Sequence, residues 1–162
     1  VDQRLGFVLG FVEDAAVEAD AAGEIERGGD AVDVSGSSVT VEGSHFERVS
    51  DKALSVGERS TMRATNLTMN DVGAGAASKD GSQLDLTDTR ITRAHVSGLM
   101  SYVKKPEYGG AEIIADSVTV AESTNIAIAQ VGSRITLNGE IVEAKPVDVD
   151  ELYKTVMKPG AK

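Results

Sequence analysis

A spacing of about 22 residues recurs along this chain, and it leaves few folds open. Apolar and small side chains stand at offsets 0, 2, 5 and 7 in successive sets. These are Val39, Val41, Ser44, Phe46; Met62, Ala64, Leu67, Met69; Leu84, Leu86, Thr89, Ile91; Ile113, Ala115, Val118, Val120; and Ile135, Leu137, Glu140, Val142. The sets start 23, 22, 29 and 22 residues apart. One insertion of seven residues, placed within Tyr102–Gly110, reconciles the long interval with the others. A fixed period of this length is the signature of stacked repeats.

Offsets 0 and 2 put two side chains on one face of a strand. The step of three to offset 5 is a corner, and offsets 5 and 7 form a second strand facing the same interior. A third pair precedes four of the five sets: Val32 and Val34, Leu54 and Val56, Ala76 and Ser78, Ala127 and Ala129. Three short strands per coil predict an all-β chain, a single-stranded right-handed parallel β-helix of about 22 residues per coil. The right hand follows from the usual chirality of parallel connections. Coils stacked at roughly 4.8 Å make a rod about 25 Å long. A β-sandwich of short strands is the competing reading. It calls for tight hairpin turns, and only Asp80-Gly81 and Asn138-Gly139 supply them.

The ends read differently. Residues 1–27 fit an irregular N-terminal coil or cap, residues 28–145 the repeats, and residues 146–162 a capping tail. Val1 is not an initiator Met, so a processed chain or a fragment is expected. The apolar run Leu5–Val12 lacks the basic flank and cleavage site of a signal peptide and fits a buried strand or end layer. Pro146 interrupts strand pairing. After it, residues 148–157 carry acids early and lysines late, as a helix prefers. Val149, Leu152 and Val156 on one face are expected to cover the coil that holds Ile135 and Leu137.

Charge and composition exclude whole classes of function. Sixteen basic against 26 acidic residues leave a formal charge of −10, which argues against nucleic acid and against anionic lipid. No apolar run is long enough to span a membrane. There is no cysteine, hence no disulfide frame or thiol nucleophile. His45 and His95 are expected to face solvent, without a second ligand for a metal.

The segments Gly29–Ser37, Asp51–Glu58, Ala77–Ser82 and Tyr102–Gly109 resemble pectate-lyase-like right-handed β-helix modules of bacterial cell-surface proteins. They are similar to modules at the C-terminus of some CotH-kinase-family proteins. The resemblance spans about residues 28 to 155. It implies a β-helix in an extracytoplasmic protein, secreted or in the cell envelope. It does not imply kinase activity, because Gly73–Asp80 lacks the spacing and the Lys-Ser/Thr pair of a phosphate-binding loop.

Enzymes with this fold cut polysaccharides with acidic calcium sites and a basic residue, or with facing carboxylates. Among the acids Asp30, Asp33, Glu58, Asp80, Asp85, Asp88 and Glu107, no clustered Asp-Asp pair falls at one aligned position on neighbouring coils; Glu58 and Asp80 align at the charged turn. No catalytic residue, metal or cofactor is therefore assigned. The candidate ligand-binding residues are Lys52, Lys79, Asp80, Tyr102, Lys104, Lys105 and Tyr108, which recur at one phase of the coil or fall in the insertion. They read either as an ion-pair ladder or as a groove for an acidic glycan with tyrosine stacking faces. The favoured function is a non-enzymatic structural or ligand-presenting module. The alternative is a polysaccharide lyase or hydrolase, or a carbohydrate-binding subunit. Expected partners are polysaccharide, other domains of a parent protein, or a second copy through an open coil end.

Overall fold

Parallel strand pairing at a shift of one coil governs the whole structure, a computed structural model. It describes residues 29–157 in full, and the backbone pairing of two earlier strands. The elements in order are β1 (Phe7–Gly10), β2 (Glu13–Glu18), β3 (Val32–Ser35), β4 (Ser38–Glu42), β5 (His45–Gly57), β6 (Thr61–Lys79) and β7 (Gln83–Tyr102). A short 3-10 turn at Pro106–Tyr108 leads to β8 (Glu112–Ala121), β9 (Ala127–Gln130), β10 (Arg134–Leu137), β11 (Glu140–Ile141), β12 (Ala144–Lys145) and helix α1 (Val149–Thr155). The long strands β5, β6 and β7 run through corners. The result is an all-β solenoid of about five turns.

The register matches the repeat read from sequence. Val39, Met62, Leu84, Ile113 and Ile135 are successive partners in one column. Phe46, Met69, Ile91 and Val120 form another. Val32, Leu54, Ala76, Leu99 and Ala127 form the third. These columns fill one continuous interior cluster. Aliphatic and small side chains suit it, because each must fit between the side chains stacked one coil above and below. The expected apolar strand near the N-terminus is β1, paired parallel to β3. The poorly conforming coil expected around Val17, Ala19 and Ile25 lies largely outside the described residues.

Corners turn on left-handed residues stacked in columns. Gly43, Asn66, Asp88 and Ser117 occupy one column; Arg48, Asp71, Arg93 and Glu122 occupy another, all with φ between 48° and 59°. Asn and Asp tolerate this conformation better than other side chains. Hydroxyls finish the turns. Thr89 Oγ1 donates to Thr87 O at 3.0 Å and Ser44 Oγ to Glu42 O at 3.0 Å. At the third corner a serine ladder links coils. Ser37 N–H donates to Ser60 Oγ, Ser60 N–H to Ser82 Oγ and Ala111 N–H to Ser133 Oγ, each at 3.1 Å.

Two expectations are corrected. The seven-residue insertion is split. Ala94 still pairs with Val72, 22 residues back, but Ser97 pairs with Ala74, 23 back, so one residue forms a bulge at that corner. The other six lie between Tyr102 and Glu112. The last set also breaks phase. Glu140 and Val142 do not stack on Val118 and Val120, because β10 and β11 close as an antiparallel hairpin. The Asn138 side chain takes the strand's place there, accepting from Val118 N–H and donating to Val118 O. Ser78 is buried, as its place in an inward pair implies, and its hydroxyl has no partner among the described residues; neither have those of Ser101 and Ser55.

Leu84 and Leu86 are fully buried. Truncating either to Ala should lower the stability measured by urea unfolding by about 2–5 kcal/mol. Ser78→Ala and Ser101→Ala should do the opposite, raising it by about 1 kcal/mol, since an unpaired buried hydroxyl is removed.

Candidate functional site

Lys52 is a cation that is only 2% exposed. It starts the third side of its coil, next to the strand shift between Val49 and Lys52. Its Nζ lies 3.1 Å from Asp30 Oδ1, one coil below, and 2.9 Å from Asp51 Oδ1. The same Asp30 oxygen accepts the Lys52 N–H at 3.1 Å. Above the ammonium, 5.6 Å away, lies the centre of the Tyr153 ring.

Tyr153 comes from α1, and the helix is not where sequence placed it. It lies against the outer flank of the third-side strands, rather than on the coil of Ile135 and Leu137. Val149, Leu152, Tyr153 and Met157 pack with Ala74, Ala77, Met100 and Tyr102. Val156, expected on the buried face, is 54% exposed. The helix is reached through β12, which pairs with β9, and through Gln130 Nε2, which donates to Val147 O at 3.0 Å. Asp148 caps it, accepting the Glu151 N–H at 2.9 Å. The chain folds back because the outward ladder Ala77, Met100, Ile128 offers an apolar strip, while the last coil is already covered by β11 and β12.

The candidate residues divide once placed. Tyr102 is 1% exposed; its hydroxyl meets that of Tyr153 at 2.6 Å and the rings meet edge-on. Lys104 is exposed and sets its Nζ 4.2 Å from the Tyr153 ring centre. Lys52 and Lys104 thus both lie against Tyr153, a residue absent from the sequence-derived set. Its only signal was its position four residues after Val149 on the helix stripe. Asp80 is buried and accepts the N–H groups of Lys104 and Lys105, both at 2.7 Å. It fastens the insertion. Lys105 pairs with Glu58, which also accepts the Ser35 hydroxyl. Lys79 is half-buried, its stem passing over Gly57. Tyr108 faces Arg59, whose guanidinium carbon is 5.4 Å from the ring centre. The residues therefore share one region but do not converge on an open groove: Lys52, Asp80 and Tyr102 lie beneath the surface.

Electrostatics follow from this burial. Desolvation opposes the charge on Lys52, but Asp30, Tyr153 and Asp51 more than offset it, so its pKa stands above the usual lysine value. Burial pushes the Asp51 carboxyl up, against the pull of Lys52. Burial, then Tyr153, holds the Tyr102 phenol well above its ordinary value. Glu58 is lowered by hydrogen bonds from Lys105 and Ser35.

The remaining expected chemistry is plainly placed. His45 and His95 are solvent-facing; His95 Nε2 lies 2.5 Å from Asp71 Oδ1. Among the described residues no group of three His, Asp or Glu side chains is arranged to hold a metal. No helix among them is long and apolar enough to cross a membrane. No family model, no curated protein and no solved structure matches the chain. The fold thus rests on its own coils, and no family is identified.

Two outcomes are expected. Lys52→Ala leaves the half-buried Asp30 and Asp51 without their cation, and should cost about 3 kcal/mol in urea unfolding. Lys104→Ala loses one exposed cation–π contact and should cost about 0.5–1 kcal/mol. At high pH, Lys52 and Tyr102 both bind their protons more tightly folded than unfolded. The stability they contribute is full below their ordinary values of 10.5 and 10.0 and is lost as pH rises through the raised ones. An alkaline titration of phenolate absorbance should show a late phase that coincides with loss of α1. Tyr102→Phe should remove that phase.

Proposed function

We propose that this chain is a non-enzymatic structural module, a right-handed parallel β-helix that presents its faces within a larger bacterial envelope or secreted protein. One observation carries the reading. The charged residues along the third side of the coils and at its two ends are engaged within the chain itself. Asp80 ties down the insertion, Lys52 is enclosed by Asp30, Asp51 and Tyr153, and Lys105 is held by Glu58. A catalytic site keeps such groups open toward a substrate. Here they join coil to coil and helix to flank, which is what a rigid spacer or display surface needs. Right-handed coiling is proposed from the usual chirality of parallel connections. The extracytoplasmic setting and the neighbouring domains as partners are proposed from the resemblance to cell-surface modules.

Fold alone does not exclude carbohydrate chemistry. The exposed Lys104 and Lys105, with half-buried Lys79 and Tyr108, are where an acidic glycan would touch. Titration calorimetry of the chain against a panel of anionic polysaccharides, at low and physiological salt, decides between the readings. The module reading expects no saturable heat and no change in glycan length. Binding that weakens with salt, as screening over roughly 8–10 Å requires, and that drops in Lys79→Ala or Lys104→Ala, would replace it with a glycan-binding function.

A further inference from the structure

One side chain fastens the hairpin of the fifth coil to the coil before it. β10 runs parallel to β8 as far as Leu137 opposite Ala115, and the chain then turns back into β11. Beyond that point Val118 of β8 is met by a side chain. Its N–H donates to Asn138 Oδ1 at 3.0 Å, and its carbonyl accepts from Asn138 Nδ2 at 2.8 Å. The primary amide thus supplies one acceptor and one donor, as a peptide unit would. A carboxylate in its place keeps the acceptor and loses the donor.

The chain has four asparagines. Leu67, Asp71 and Ile126 follow Asn66, Asn70 and Asn125, while glycine follows Asn138. Asn138 and Gly139 form the two-residue turn of the hairpin, both exposed, with φ of 50° and 84°. A Cβ built on Gly139 would meet nothing within 4 Å, so the turn is open and no side chain shields the Gly139 nitrogen.

We propose that Asn138 is a site of spontaneous deamidation, and that the change releases the hairpin from β8. Once the two bonds to Val118 open, the Gly139 nitrogen attacks Asn138 Cγ. The Cγ–Nδ2 bond breaks, the proton of the attacking nitrogen leaves with the amide as ammonia, and a five-membered imide forms. Water adds to one imide carbonyl and opens the ring. Opening at one carbonyl gives aspartate, and at the other isoaspartate, whose main chain is one carbon longer. Nothing is oxidised or reduced, and water is the sole co-reactant. In aspartate a carboxylate oxygen faces the Val118 carbonyl, acceptor against acceptor. In isoaspartate the lengthened turn no longer presents its side chain to Val118. The loosening is local, because β12 remains paired with β9 beyond the hairpin.

Two measurements test this. The full chain is aged at mildly alkaline pH and mapped by peptide mass spectrometry, with isoaspartate detected by enzymatic methylation. Asn138 should convert first of the four asparagines. The aged chain, which carries one more negative charge, is separated by ion exchange and compared with fresh chain by hydrogen exchange. The Val118 N–H, and the Val142 N–H that bonds to Ile135 O, should lose protection by about tenfold or more. Asn138→Asp should show the same loss without ageing. Asn66→Asp, at an exposed turn elsewhere, should leave both amides unchanged. Conversion of another asparagine ahead of Asn138, or of none, would overturn the site. Unchanged protection in both the aged chain and Asn138→Asp would overturn the release.

Discussion

Backbone hydrogen bonds that run along the solenoid axis, from each coil to the one before, set the terms for every other interaction. They fix the phase of each residue by that of the residue one coil away. Met62 sits under Leu84 because Thr61 and Arg63 pair with Gln83 and Asp85. A side chain is thus chosen twice, once for the interior and once for the neighbours it stacks on. Like therefore stacks on like: aliphatic columns inside, a serine ladder at one corner, left-handed residues at the turns. Departures are absorbed locally. The six residues added after Tyr102 leave the register of Gln83 with Glu112 intact, because a corner lengthens without moving the strands that flank it.

Burial decides what the charges do. Read along the sequence, the lysines and carboxylates of the third side are an exposed ladder. In space, the helix roofs part of that ladder and changes its physics. Exposed pairs contribute about 0–1 kcal/mol. A cation enclosed with two carboxylates and an aromatic ring is costly to break, because loss of one member strands the others. The half-exposed pair of Lys105 with Glu58 stays in the first regime and Lys52 is in the second, although both belong to one surface pattern.

The strand columns were legible in the sequence because the period of two within a strand and of about 22 between coils is carried by burial, and burial selects side-chain type directly. The corner turns were partly legible: Gly43, Asn66 and Asp88 share a phase, and these residue types accept a left-handed backbone. Arg48, Arg93 and Glu122 gave no such signal, since their conformation is imposed by coils above and below. The end of the solenoid was misread because Glu140 and Val142 keep the spacing of the repeat while Asn138 replaces the strand that would use it. The helix was read correctly as a helix and wrongly in position. Its own stripe shows which side is buried, but nothing in a seven-residue segment says which of two apolar surfaces it will meet. The outward strip of Ala77, Met100 and Ile128 stands at positions between the inward-facing ones, which the repeat pattern leaves unassigned.

That lateral position of α1 changes how the rod comes apart. A stack in which each layer touches only its neighbours frays from either end, one layer at a time. Here the chain leaves the fifth coil and returns through Tyr153 to Lys52 and Tyr102, so layers far apart in the stack are tied to one another. The C-terminal layer does not peel away until the aromatic contact beside Lys52 has opened. Fraying is thereby made cooperative across the middle of the molecule, and resistance to a pull on the C-terminus resides in a side-chain cluster several layers from the point of attachment.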